Sequence, residues 1–126
     1  MLLRLDYSGE APIYRQIHDQ IVVGIADGRL RPGEKLPAVR ALAVETGVNV
    51  MTVNKAYQAL KAEGHILTDR RGGTVVAGQA EKVSGEKLMN ALRLPAAEAK
   101  LSGLSLEKWL GLCEKAYYGE KETDKL

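Results

Sequence analysis

Arg70 and Arg71 place two guanidinium groups side by side, directly ahead of Gly72 and Gly73. A guanidinium is a permanent cation with a fork of N–H donors, suited to phosphate oxygens. A pair of glycines behind it marks a tight turn that would carry both cations outward. Upstream, Asn49, Thr52, Asn54 and Lys55 set short polar and cationic groups among the apolar Val53, Ala56, Tyr57 and Leu60. Carboxamides and hydroxyls read base edges, and ammonium groups neutralise phosphates. With Lys35 and Arg40 just before them, these residues have the chemistry of a surface that grips a nucleic-acid duplex.

Other chemistries find little support. Arg70-Arg71-Gly72-Gly73-Thr74 lacks the Gly-Lys-Ser/Thr ending and the following helix of a phosphate-cradling nucleotide loop. His18 and His65 are the two histidines of the chain, Cys113 is its single cysteine, and none falls in a metal-ligand spacing. A lone cysteine excludes an internal disulfide and reads as a small buried hydrophobe. No Ser/His/Asp or Cys/His set is legible, so neither catalysis nor a cofactor is expected.

Charge distribution points the same way as the motif. The 126 residues carry a net charge of only +2. Within residues 35–75, however, Lys35, Arg40, Lys55, Lys61, Arg70 and Arg71 face only Glu45, Glu63 and Asp69, whereas acidic and basic side chains cancel over residues 79–126. The positive excess therefore coincides with the candidate reading surface, as phosphate binding requires. The hydrophobic share of 45% and charged share of 27% are those of an ordinary globular protein. No apolar run approaches the roughly 20 residues that span a bilayer, and the first residues lack the features of a signal peptide. A cytoplasmic location is expected.

These groups need elements to hold them. Residues 2–10 read as an extended arm with a Ser8-Gly9 turn. Pro12 suits a helix start, and Ile13, Ile17, Ile21 and Ile25 recur every fourth residue as one apolar stripe, ending at Asp27-Gly28. A second helix is expected from about Ala38 to Thr46, with Val39, Leu42 and Ala43 inward and Gly47 as its left-handed stop. Val48 plugs the gap between helices, and Asn49 is a good N-cap for a third helix that turns Val53, Ala56, Tyr57 and Leu60 inward and ends at Glu63-Gly64. Residues 66–68 and 74–76 then read as a hairpin, with the glycine pair supplying the positive φ of its turn. Helix, tight turn, helix and basic-tipped hairpin make a winged helix-turn-helix.

Residues 79–126 read as short helices. Val83, Leu88, Leu92 and Leu94 suggest an amphipathic helix stopped at Pro95, with a second stretch from Ala96 to about Leu101, broken at Ser102-Gly103. Ser105 caps a further helix whose apolar face is Leu106, Trp109, Leu110, Cys113 and Tyr117, with Glu107 favourably near its N-terminus. Residues 119–126 are polar and expected to fray. So few short helices cannot hide a Trp and this many leucines alone. Burial against a second copy through Leu88, Leu92, Leu106, Trp109, Leu110, Cys113 and Tyr117 is the expected solution.

The string Pro12-Ile13-Tyr14-x-Gln16-Ile17, Gly28-x-Leu30-x-Pro32-Gly33-Glu34-Lys35-Leu36-Pro37, Arg40-x-Leu42-Ala43, Gly47-Val48-Asn49, Thr52-Val53, Ala56-Tyr57, Leu60, Glu63-Gly64 and Gly73-Thr74-x-Val76 resembles the reading head of the GntR family of bacterial transcription regulators. The short tail is similar to the YtrA-like branch, in which a pair of dimerising helices replaces a large ligand-binding domain. The resemblance implies that Arg40 contacts phosphate or a base edge, that Asn49, Thr52, Asn54 and Lys55 face DNA, and that Arg70, Arg71, Gly72 and Gly73 form the wing. Ala38 stands where many members have serine, removing one hydroxyl contact. Val50 and Asn54 stand where other branches often have arginine, so sequence preference does not carry over. Contact by Val50 or Met51 would be apolar, against thymine methyl groups.

The expected fold is thus mainly α with a small β-hairpin: a winged helix-turn-helix DNA-binding domain over residues 1–78 and a helical dimerisation segment over residues 79–126. The expected function is a homodimeric repressor on double-stranded DNA with an inverted-repeat operator, which the branch resemblance associates with a transporter operon. The effector, if there is one, is not readable. The alternative is a winged-helix module that binds protein and does not engage DNA.

Overall fold

Ile17 and Ile21, the central pair of the four-residue stripe, lie fully buried on helix α1 (Ile13–Ala26), while Ile13 and Ile25 at its ends pack against the core half-exposed. The computed structural model describes residues 1–78 and 82–119. The chain divides into two units, Met1–Glu81 and Lys82–Leu126. In the first unit α1 is followed by β1 (Lys35–Leu36), α2 (Val39–Thr46), α3 (Val50–Ala62), β2 (Ile66–Thr68) and β3 (Thr74–Val76).

The arm ahead of α1 is held by an uncommon substitute for a strand. Gln20 accepts from the Arg4 N–H at 2.9 Å and donates to the Arg4 carbonyl at 2.7 Å. One turn earlier Gln16 treats Asp6 the same way, at 2.8 and 2.9 Å. Two glutamines four apart on a helix face thus pair with alternate residues of an extended chain. Leu3 and Leu5, which alternate with them, then pack against the core. Tyr7 completes the strap by donating to the Thr46 carbonyl at the end of α2.

Gly47 ends α2 in the left-handed region at φ 72°, with open space where a Cβ would sit, so the turn requires glycine for backbone reasons alone. Val48 follows, buried, and α3 starts. Its inner face is Val53, Ala56, Tyr57 and Leu60, all fully buried against α1 and α2. Burial and then the nearby charge of Glu45 push the Tyr57 hydroxyl up to about 12, so it stays a donor and reaches the Pro37 carbonyl at 2.7 Å.

The hairpin strands fall at the expected residues, with Ile66 opposite Val76 and Thr68 opposite Thr74. A third strand was not foreseen. Lys35 and Leu36 pair with Val75 and Thr74 on the other edge of β3, giving the antiparallel order β1-β3-β2. Two residues ahead of a proline carry no periodicity. The pairing is imposed by Leu36 sinking into the core and by the Val76 N–H donating to Glu34.

The second unit corrects the sequence expectation at Pro95. A single helix, α4 (Gly85–Leu101), runs through that residue, where a stop followed by a separate stretch was expected. Proline removes one ladder bond and crowds the carbonyl four residues back. Here that carbonyl belongs to exposed Ala91, which water can satisfy, and Ala96-Ala97-Glu98-Ala99-Lys100 are strong helix formers that carry the helix on. Val83 lies outside, because Ser84 caps the helix by accepting from the Lys87 N–H. Ser105 caps α5 (Leu106–Tyr118) as expected, accepting from Lys108. The expected fraying of residues 119–126 lies, beyond Gly119, outside the described residues. Among the described residues no helix is long and apolar enough to cross a membrane.

Tyr57→Phe should leave the part-buried Pro37 carbonyl without its partner and cost about 1 kcal/mol, read as a lower urea midpoint at unchanged slope.

Candidate nucleic-acid interface

Burial of one face of α3 determines what the other presents. Positions 53, 56, 57 and 60 point inward, so at 3.6 residues per turn the opposite stripe is Met51, Asn54, Lys55 and Gln58, with Val50 and Thr52 on its flanks. Met51 is 78% exposed and Val50 44%, an apolar start to an outward face. Thr52 is half-buried; Asn54 and Lys55 are exposed.

Asn49 is not a free reading group. Its Oδ1 accepts the Met51 N–H at 2.7 Å, capping α3 and fixing where the helix begins. Lys55 is exposed, yet its ammonium sits 3.9 Å above the Tyr14 ring of α1. That contact restricts a long side chain which would otherwise move freely in water. Gln58, which the sequence reading passed over, donates to Asn54 Oδ1 across one helical turn at 3.4 Å. Its four-residue spacing from Asn54 was the available signal.

The wing turn has a different logic from the expected one. Gly72 alone takes a positive φ, 82°. Gly73 instead donates its N–H to Asp69 Oδ1 at 2.8 Å, and the same oxygen accepts from the Arg71 N–H at 2.9 Å. The Asp69 N–H closes the loop onto the Gly73 carbonyl at 2.8 Å. One carboxylate therefore organises the loop from within, leaving both arginine side chains exposed at its tip. Lys35 joins the wing by register, opposite Val75, and is exposed. Arg40 is exposed on the first turn of α2, whose N-cap Ala38 supplies no side-chain bond.

Elsewhere in the unit, both ring nitrogens of His18 meet carboxylates: Nδ1 meets Asp19 at 2.7 Å and Nε2 meets Glu63 at 2.6 Å. Burial pulls the imidazolium down, but hydrogen bonds to Asp19 and Glu63, and their charges, outweigh it and hold His18 above its ordinary value. Among the described residues no group of three His, Cys, Asp or Glu is placed to hold a metal ion.

The tail candidates lie on α4 and α5, where not one described residue is buried. Leu88, Leu92, Leu106, Leu110 and Tyr117 are exposed, while Trp109 and Cys113 are half-covered. Within this hairpin, Ala96, Ala99, Leu104, Leu106 and Trp109 line an open apolar cleft of about 490 Å³.

A winged helix-turn-helix with an outward polar stripe and a basic loop defines a class of bacterial regulator, and comparison with known proteins agrees. Residues 13–76 match the model of the bacterial regulatory proteins of the gntR family. The HTH-type transcriptional repressor YtrA of Bacillus subtilis is 35% identical over 98% of this chain and 100% of its own length. A crystal structure of a transcriptional antiterminator from Listeria monocytogenes superposes with a TM-score of 0.82 at 30% identity, covering 96% of both chains. The DNA-binding domain of AraR in complex with operator ORX1 matches 60% of this chain and 96% of its own, at 30% identity and a TM-score of 0.53. The chain belongs to the GntR family.

Asp69→Ala should speed amide exchange at Arg71 and Gly73 while lowering global stability by no more than about 1 kcal/mol, measured by hydrogen exchange beside a thermal scan.

Proposed function

We propose that the protein is a sequence-specific transcriptional repressor that binds an inverted-repeat operator as a homodimer. The observation that carries the DNA reading is the outward stripe of α3, beginning at a capped Asn49, in a chain whose wing loop holds Arg70 and Arg71 exposed around an internally bonded Asp69. In this reading α3 enters the major groove by its N-terminal half. Met51 and Val50 meet thymine methyl groups, and Asn54, with Gln58 behind it, discriminates bases. Arg40, Lys35, Lys55 and the wing arginines serve the phosphates, with Arg70 or Arg71 also within reach of the minor groove. The operator complex of AraR, a protein with a similar domain, supports this assignment, and the repressor sense follows the name of the full-length relative YtrA.

The dimer follows from α4 and α5. A helical pair with no buried residue has gained little from water exclusion, and its leucines, Trp109 and Tyr117 are the reservoir from which a second copy would draw. We assign residues 1–78 to DNA and 79–126 to dimerisation. Two-fold symmetry then requires half-sites about one helical turn apart, or a multiple of it. A transporter operon is the target that the branch resemblance suggests, and the cytoplasm is the compartment that the role requires.

Footprinting on the DNA upstream of the protein's own gene tests the reading; protection of a two-fold symmetric site is expected, and no protection at low salt would overturn it. Arg71→Ala should weaken retention of all duplexes and reduce the log–log salt slope by about one. Asn54→Ala should instead change the ranking of operator variants. Leu106→Lys together with Leu110→Lys should convert a dimer mass to a monomer mass in light scattering. A wild-type monomer at working concentration would remove the symmetric-operator argument.

A further inference from the structure

His18 lies half-buried on α1 between two acids. Its Nδ1 lies 2.7 Å from Asp19 Oδ1, and its Nε2 lies 2.6 and 2.8 Å from the two oxygens of Glu63. Ionised carboxylates only accept, and a neutral imidazole offers one N–H and one lone pair. Both contacts can be hydrogen bonds only when the ring carries two protons. Losing one would set a lone pair against a carboxylate oxygen and break one of the two links.

Loss of either proton also removes the positive charge that pairs with Glu63, and that pair joins α1 to a junction. Glu63 is the C-cap of α3, its N–H donating to the Ala59 carbonyl. Two residues on, the His65 N–H donates to the Leu60 carbonyl, and the His65 carbonyl accepts from the Ala77 N–H just beyond β3. Glu63 therefore sits where the recognition helix hands over to the wing. We propose that His18 is a positioning residue for DNA binding: as an imidazolium it ties this junction to α1, and operator affinity drops when it gives up its proton. The inference rests on the DNA-binding reading above.

The surrounding charges fit this role. Asp19 shares α1 with His18. Glu63 approaches from the end of α3, and His65 Nε2 lies 3.9 Å from the same Glu63 Oε1 that meets His18. Lys55, also on α3, is held over Tyr14, one turn back along α1. Arg4 and Asp6 of the arm bind at Gln20 and Gln16, on the opposite side of α1 from His18. Because His18 is held above its ordinary 6.5, its contribution to stability is fully present below that pH. The contribution is lost as pH rises through the folded value.

The test measures the His18 titration by NMR in the full chain, free and bound to the upstream duplex, and duplex affinity from about pH 6 to 8.5. Wild type, His18→Gln and Glu63→Gln are compared. The expected result is a His18 pKa above 6.5 that rises further on DNA. Wild-type affinity should fall with pH by about tenfold per unit of that rise, and the decline should be flattened in both variants. A His18→Gln profile parallel to wild type, or a His18 pKa unchanged by DNA, overturns the proposal. Should His18→Gln fail to fold, the pKa change and Glu63→Gln decide alone. Absence of retention at every pH overturns the DNA reading and this proposal together. Failure of the proposal alone is distinguishable, because DNA is then retained with parallel profiles.

Discussion

Val53, Ala56, Tyr57 and Leu60 give up all of their surface to the core formed with α1 and α2, and much of the first unit is arranged around that one packed face. A helix anchored by four side chains at spacings of three and four has no rotational freedom left. Its remaining stripe is then determined to within a residue, whatever that stripe is for. The Tyr57 hydroxyl adds a fixed point to the packed face by binding the Pro37 carbonyl, which sits between β1 and α2. The orientation of α3 and the entry to α2 before it are thus held by the same side chain.

Polar contacts around this core bind chain segments that would otherwise fray. Gln16 and Gln20 hold the arm, Asp69 holds the wing turn, Asn49 fixes the start of α3, and Glu63 ties its end to α1. Each is a single side chain meeting one or more backbone groups or a charged partner, and Asn49, Asp69 and Glu63 sit beside a group proposed to touch DNA or on the helix that carries it. Preorganisation of this kind lowers the ordering cost of binding, which is paid when long cationic side chains and loops are immobilised against a duplex.

The second unit follows the opposite rule. Its helices are well capped by Ser84 and Ser105, so local sequence decides where they start. No packed core follows, because the apolar residues of two helices cannot enclose one another. Local propensity strong enough to carry α4 through Pro95, combined with faces left in water, is the pattern on which the proposed dimer rests.

Amino-acid order alone settled the helices of the first unit, the caps at Asn49, Gly47 and Ser105, the hairpin strands and the four inward residues of α3. All of these are written in spacings of three and four, in turn chemistry or in alternation, which act over a few residues. Beyond that range the order of residues was silent. The β1 strand, the pairing of Gln16 and Gln20 with the arm, the place of Lys55 over Tyr14 and the meeting of His18 with Glu63 join residues 10 to 45 positions apart. Such partners have no periodicity to announce them. They are chosen only when burial of Ile17, Ile21 and Tyr57 brings α1 against α3, because a hydrogen bond or ion pair gains its modest energy only after packing has already met the entropic cost of bringing distant groups together.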